Sequence, residues 1–202
     1  MSTVRGLPPG RAGRTWLAGR LQASRRAGDL LDRKLRILRH ERARAAHRAA
    51  QAERLWIAAW RDAEWWGLRA SLLAPPGGQA VSRQARVSVR WAAVMGARYP
   101  SSVQVSRDDD PTAPLAVSAA ATCAAHAAAE AVARAADAAA ARAALGAVDH
   151  EIEGTQLRLR AIEHSWVPRL QQQADALDLI LAENETTEAV LRKLAAGGPN
   201  DD

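Results

Sequence analysis

The 202-residue sequence contains no phenylalanine, one tyrosine and one cysteine, Cys123. A single cysteine cannot form an internal disulfide, which fits a reducing compartment. No segment approaches the roughly 18 uninterrupted apolar residues of a membrane span. The N-terminus is positively charged but lacks the apolar stretch of a signal peptide. These absences favour a chain that reaches a membrane only through partners.

Apolar or small residues recur at alternating steps of three and four in residues 14–74, and residues 113–195 also carry an apolar seam. This 3.5-residue period is typical of a left-handed coiled coil. Abundant alanine and few aromatic residues also suit close helix packing better than a thick globular core. We therefore predict a mostly α protein, a long antiparallel two-helix coiled coil. Its clearest seam residues are Leu31, Leu35, Leu38, Leu159, Ile162, Trp166, Leu170 and Leu177.

Between these helices, prolines and glycines mark a connector over residues 75–112. Polar and apolar residues alternate at Arg86–Trp91 and Val103–Ser106, which predicts two short strands and a small β-hairpin. We expect flexible tails at residues 1–13 and 196–202. Within the second helix, Pro168 is expected to produce a kink, because proline removes a backbone hydrogen bond.

The two arms carry opposite charge. Residues 1–70 hold 16 Lys/Arg against 6 Asp/Glu, whereas residues 148–202 hold 5 against 11. Such arms attract one another when they fold antiparallel. A basic surface that binds phosphate is the alternative interpretation of the positive arm.

No recognisable catalytic or nucleotide-binding motif is present. The sequence lacks GxxxxGK[ST], GxGxxG, HExxH, CxxC and GxSxG. His40 and His47 share a helix face, but no acidic or cysteine partner completes a metal-binding set. We interpret the tryptophans Trp56, Trp60, Trp65 and Trp66 as filling the base of the hairpin, in preference to a ligand-binding role. No catalytic residue, cofactor or metal site is expected.

Both ends of the chain resemble the D subunit of V/A-type rotary ATPases. The N-terminal arm reads PGRAGRTWLAGRL from Pro9 and AGDLLDRKLRIL from Ala27. The C-terminal arm reads LRLRAIEHSWVPRL from Leu157, followed by ILAENE and LRKL. The similarity lies in Arg20–Leu21, Gly28, Leu30–Leu31 and Lys34 at one end. At the other end it lies in Arg158, Ala161–Glu163, Val167–Pro168 and Leu170. Arg160 departs from the family pattern, which usually has Asn there.

The resemblance implies a central-stalk subunit without catalytic residues. Such a subunit is cytoplasmic and peripheral to the membrane. Its partners would be the ATPase A and B subunits, the F subunit of the stalk and the adapter subunit above a proton- or sodium-translocating ring. The tip that faces the hexamer would comprise Arg11, Arg14, Leu17, Arg20, Leu21, Leu191, Arg192, Lys193 and Leu194. A coiled-coil adaptor or scaffold outside any ATPase is the first alternative, and a basic helical nucleic-acid binder is the second.

Overall fold

The computed structural model describes residues 8–74, 85–107 and 118–196. Helix α1 covers Gly10–Leu72. Strands β1, Ala85–Val94, and β2, Ala97–Arg107, follow. Helix α2 covers Ala119–Ala161, a π-helical turn covers Ile162–Trp166, and helix α3 covers Val167–Ala196. The predicted fold class, helix-rich with a short two-stranded antiparallel hairpin in the middle, is confirmed. The left-handed supercoil remains a prediction.

Contacts divide the chain into two units. The terminal unit combines the residues up to Lys34 with those from Thr155 onward, and the middle unit covers Leu35–Gly154. The predicted tail at residues 196–202 lies outside the described residues, except for Ala196, which ends α3. Residues 1–7 of the other predicted tail also lie outside the described residues.

In the terminal unit, the start of α1 runs antiparallel to α3, because Arg11 contacts Glu185 and Arg14 contacts Asp178. Helix α1 begins at Gly10, four residues before the predicted start, so the last part of the predicted tail is helical. This first turn is closely packed at Gly13. A Cβ atom on this glycine would lie 3.3 Å from a methyl carbon of Leu177. The first turn of α1 therefore packs closely against α3.

In the middle unit, α1 and α2 are also antiparallel. Arg42 binds Asp149, and Arg142 binds Glu53. The packed residues are mainly small, and alanine buries little apolar area. Leu35 and Leu38 are the largest buried residues that α1 contributes here. The buried side chains of the helices in this unit are Leu35, Leu38, Ala45, Ala49, Ala131, Ala138, Ala144, Val148 and Ile152.

The strands pair antiparallel through a two-residue turn, Met95–Gly96, in which both φ angles are positive, 48° and 93°. Such a turn matches the right-handed twist of paired strands. The register shifts between Arg90 and Trp91, which pair with Ser102 and Pro100. The extra residue, Ser101, donates its hydroxyl to the Arg90 carbonyl at 3.1 Å. The bulge therefore accommodates Pro100, which has no N–H for the ladder.

Pro168 does not end the C-terminal helix. The π-helical turn lies directly before it, and the Val167 N–H donates to the Ile162 carbonyl, five residues back. Pro168 could neither donate to the carbonyl of His164 nor fit its ring against that carbonyl in a regular α-helix. The wider turn relieves this conflict. A π turn is one of the recognised causes of a helix kink, and the kink itself remains a prediction.

None of the described helices is long and apolar enough to cross a membrane.

Candidate partner-binding site

The C-terminal part of α3 is exposed on all sides. Every residue from Ala182 to Ala196 is exposed, although the same helix is packed at Leu170. Among the described residues, the ion pair to α1 nearest the end of α3 is Arg11 with Glu185, and α3 continues for three further turns. We call residues 182–196 the α3 end.

An apolar stripe runs along α3 on the side away from α1. Its members are 51 to 68% exposed: Leu179, Ile180, Val190, Leu191 and Leu194. At about 100° per residue, these side chains fall within one third of the helix circumference. The seam residues Leu170 and Leu177 point in a different direction. The stripe is an apolar surface that the described part of the chain leaves uncovered.

The predicted tip residues separate into two groups. Leu191, Arg192, Lys193 and Leu194 lie on the α3 end and are exposed. Leu17, by contrast, is only 1% exposed, and Leu21 is half-buried. The assignment of the tip to the hexamer remains a prediction, but Leu17 packs inside the helical pair. The reason is its seam position, seven residues before Ser24, which is also buried.

The predicted tip arginines contact acidic or aromatic residues of the same chain. The Arg11 Nη2 atom lies 3.0 Å from Glu185 Oε1, and the Arg14 Nε atom lies 2.9 Å from Asp178 Oδ1. The Arg20 guanidinium lies 5.5 Å from the ring of Trp16 and 6.0 Å from the ring of Trp166. Opposite charges on the two arms thus pair within the chain, as predicted from their attraction. Exposed pairs of this kind contribute at most about 1 kcal/mol each.

Most of the predicted seam residues lie in the packed interior. Leu35, Leu38 and Leu170 are buried, and Leu31, Leu159, Ile162 and Leu177 are half-buried. Leu159 and Ile162 face Gly28, where an added Cβ atom would lie 3.9 and 4.0 Å from their methyl carbons. Trp166 differs, since it is 40% exposed. Its ring lies 6.0 Å from the guanidinium of Arg20 on α1, and its place in the seam remains a prediction.

The tryptophans near the end of α1 fill the base only in part. Trp56 and Trp66 are half-buried, whereas Trp60 and Trp65 are 52% and 58% exposed. An open groove of about 770 Å³ lies in the middle unit. Its lining includes Leu55, Ala59, Trp66, Cys123, His126 and Ala127. Because Trp60 and Trp65 are more than half exposed, the interpretation that all four tryptophans fill the base is wrong for these two.

Within residues 8–74, 85–107 and 118–196, no three His, Cys, Asp or Glu side chains are grouped to hold a metal ion. The features that stand out are instead the exposed apolar stripe and the paired helices that support it. This arrangement is suited to contact with partner proteins.

The geometry defines a class of protein in which paired helices present an exposed helix end to partners. The family model of the ATP synthase D subunit matches residues 15–197. The chain belongs to this family, as its resemblance to the V/A-type D subunit indicated, and the family makes it a stalk component of a rotary ATPase complex. No curated protein matches the chain.

Proposed function

We propose that this chain is the central-stalk rotor subunit of a V/A-type ATPase or ATP synthase. It would transmit torque between the ion-translocating membrane ring and the catalytic A/B hexamer. The exposed stripe on α3 is the observation that carries this proposal. Apolar side chains that follow one face of a helix mark a surface that another protein covers. Family membership supports a rotary ATPase as the complex whose other subunits would cover this surface.

In this proposal the chain performs no chemistry. An asymmetric shaft contacts the three catalytic interfaces of the hexamer differently and so biases them into different states. Differential contact of this kind is the thermodynamic requirement for shifting an equilibrium between states. Paired helices suit the task because their backbone hydrogen bonds are satisfied internally and resist twisting more than a loop does.

The remaining partners follow from the same proposal. The F subunit would dock on the paired helices, and the adapter protein above the ring would meet the base that contains Trp60 and Trp65. The chain would be cytoplasmic and attached to the membrane only through the complex. No nucleic acid is required. The intrachain ion pairs of Arg11 and Arg14 support this view, because both arginines already contact acidic residues.

The test uses a tagged chain, purified from its native host in mild detergent, with mass spectrometry of the co-purifying proteins. The wild-type chain should recover the A, B and F subunits. Replacing both Leu191 and Leu194 with Glu should greatly reduce recovery of the A and B subunits, because charge on the stripe opposes burial. The control is Leu30→Glu, which changes a side chain that is 64% exposed on α1 and should leave recovery of the A and B subunits unchanged.

Two outcomes would contradict the proposal. Recovery of the A and B subunits by the doubly charged variant at the wild-type level would remove the stripe from the interface. Failure of the wild-type chain to recover them would favour the coiled-coil adaptor. Nucleic acid in their place, lost steeply with added salt, would favour the basic binder.

A further inference from the structure

The seven-residue spacing of the seam in the C-terminal helix shifts by one residue at the π turn. We call this shift a change of phase. Thr155 is fully buried, and Ile162 follows it in the seam seven residues later. The next heptad position is residue 169, and Arg169 is exposed. Instead, Leu170 is buried at 2% exposure, eight residues after Ile162. The heptad series then resumes, with Leu177 half-buried seven residues further on.

The opposing helix shows no such change. On α1, Leu17 and Ser24 are buried and Leu31 is half-buried, each seven residues after the last. One residue is therefore extra on the C-terminal side alone. The π turn, Ile162–Trp166, lies where this residue must be absorbed. A hydrogen bond from residue i to residue i−5 encloses one residue more than an α-helical bond does.

Pro168 explains why the extra residue is absorbed at this place. A regular α-helix would set the proline ring against the carbonyl of His164 and leave that carbonyl without its donor. The π turn opens the backbone just before the proline, where Val167 instead donates to Ile162. Pro168 thus sets the position of the π turn. The turn itself is needed because the seam contains one extra residue between Ile162 and Leu170.

We propose that the π turn is a one-residue insertion, positioned by Pro168, that sets which face of α3 meets α1. Without it, α3 would turn by about 100°. Arg169 and Ile180, which are exposed, would then face α1, whereas Leu170 and Leu177 would leave the seam. The same rotation would redirect the apolar stripe. The insertion therefore determines which face of α3 is left for a partner, and this holds for the isolated chain whatever that partner is.

The test compares two single-residue deletions in full-length chains that carry Cys123→Ser. The Ser165 deletion is combined with Pro168→Ala, and the Gln172 deletion keeps Pro168, so that the π turn stays in place. Deletion of Ser165 removes the extra residue, so α3 should keep its phase as a continuous α-helix. Deletion of Gln172, the matched control, removes a residue after the phase has been set. It should therefore turn Leu177 and Leu181 out of the seam.

Two readouts are taken on each chain. One is the thermal unfolding midpoint. The other is cross-linking by a short bismaleimide between cysteines placed at Arg14 and Asp178, which are neighbours in the structure. The Ser165 deletion should retain the cross-link and the midpoint of its undeleted parent. The Gln172 deletion should lose the cross-link and lower the midpoint by about 5 °C or more, because two leucines lose their burial.

Equal loss of the cross-link and stability in both deletions would overturn the proposal, since Ser165 would then belong to an indispensable turn. Retention of both properties in both deletions would also overturn it, because the phase of α3 would then not depend on residue count. Neither result bears on whether the A and B subunits bind the chain, which the co-purification experiment tests separately.

Discussion

Gly28 offers a sharp test of how closely the helices of the terminal unit pack. It lies within α1, where glycine destabilises a helix by about 1 kcal/mol relative to alanine. A Cβ atom added here would lie 3.9 Å from Leu159 Cδ1 and 4.0 Å from Ile162 Cγ2. Both are ordinary van der Waals distances, so the new methyl group should fill space without displacing its neighbours.

We therefore expect Gly28→Ala to stabilise the chain by two separate contributions. Helix propensity contributes about 1 kcal/mol, and burial of one methyl group contributes up to about 0.8 kcal/mol. At roughly 2–4 °C per kcal/mol for a chain of this size, the unfolding midpoint should rise by about 3–7 °C. Circular dichroism during heating, at matched protein concentration, measures this rise.

The control is Gly19→Ala, which lies on the same helix with nothing within 4 Å of its Cβ position. It should gain only the propensity contribution, and therefore less than Gly28→Ala. If Gly28→Ala gained less than the control or lowered the midpoint, the helices would be closer at Gly28 than the structure places them. The seam described for the terminal unit would then be wrong at this point.

Three other substitutions test the packing and the charges. Leu38→Ala should lower the free energy of unfolding, measured in urea, by about 2–5 kcal/mol because Leu38 is fully buried. Ile37→Ala, at a 42% exposed site, should lower it much less. Equal losses would contradict the seam. Gln173→Met should stabilise the folded chain by about 1 kcal/mol, since the Gln173 Oε1 atom is buried without a hydrogen-bond partner. A loss of stability would show that this oxygen accepts a hydrogen bond in the folded chain. Arg14→Glu should lower the free energy of unfolding by no more than about 1 kcal/mol. Adding Asp178→Arg to this variant should restore the lost stability at low salt only. A loss of stability that the second substitution does not restore would refute the pairing.

The helical pair and the hairpin could be predicted from sequence because their signals are local. A seven-residue repeat places its members on one side of a helix whatever the rest of the chain does. Alternation along Arg86–Trp91 likewise requires an extended strand. The register of the hairpin was not predicted, because Ser101 adds a bulge next to Pro100. Such a bulge depends on how two strands meet.

The phase change in the C-terminal helix was missed for a specific reason. Trp166 is apolar and follows Leu159 by seven residues, so it looks like a seam residue. The signal that could have revealed the change was the step of eight from Ile162 to Leu170 beside a proline. The helix start was misplaced for a related reason, since the contact between Gly13 and Leu177 joins distant parts of the sequence.

The candidate site was predicted only in part. Leu191 and Leu194 were placed at the tip from the resemblance, but Leu179, Ile180 and Val190 were not. Their spacing along α3 was the available signal, because they share a helix face that avoids Leu170 and Leu177. Leu17 was included in the tip because the resemblance assigns the whole N-terminal end to the hexamer, although its seven-residue spacing from Ser24 also predicts a seam position.

The most direct test of the central claim places a photoreactive amino acid at Leu191, on the stripe of the α3 end, and irradiates the assembled complex. If the hexamer covers this face, as proposed, covalent adducts with the A or the B subunit should form and be identified by mass spectrometry. Irradiation that gave no adduct with either of them, in a complex containing both, would contradict the proposal that the hexamer covers the stripe.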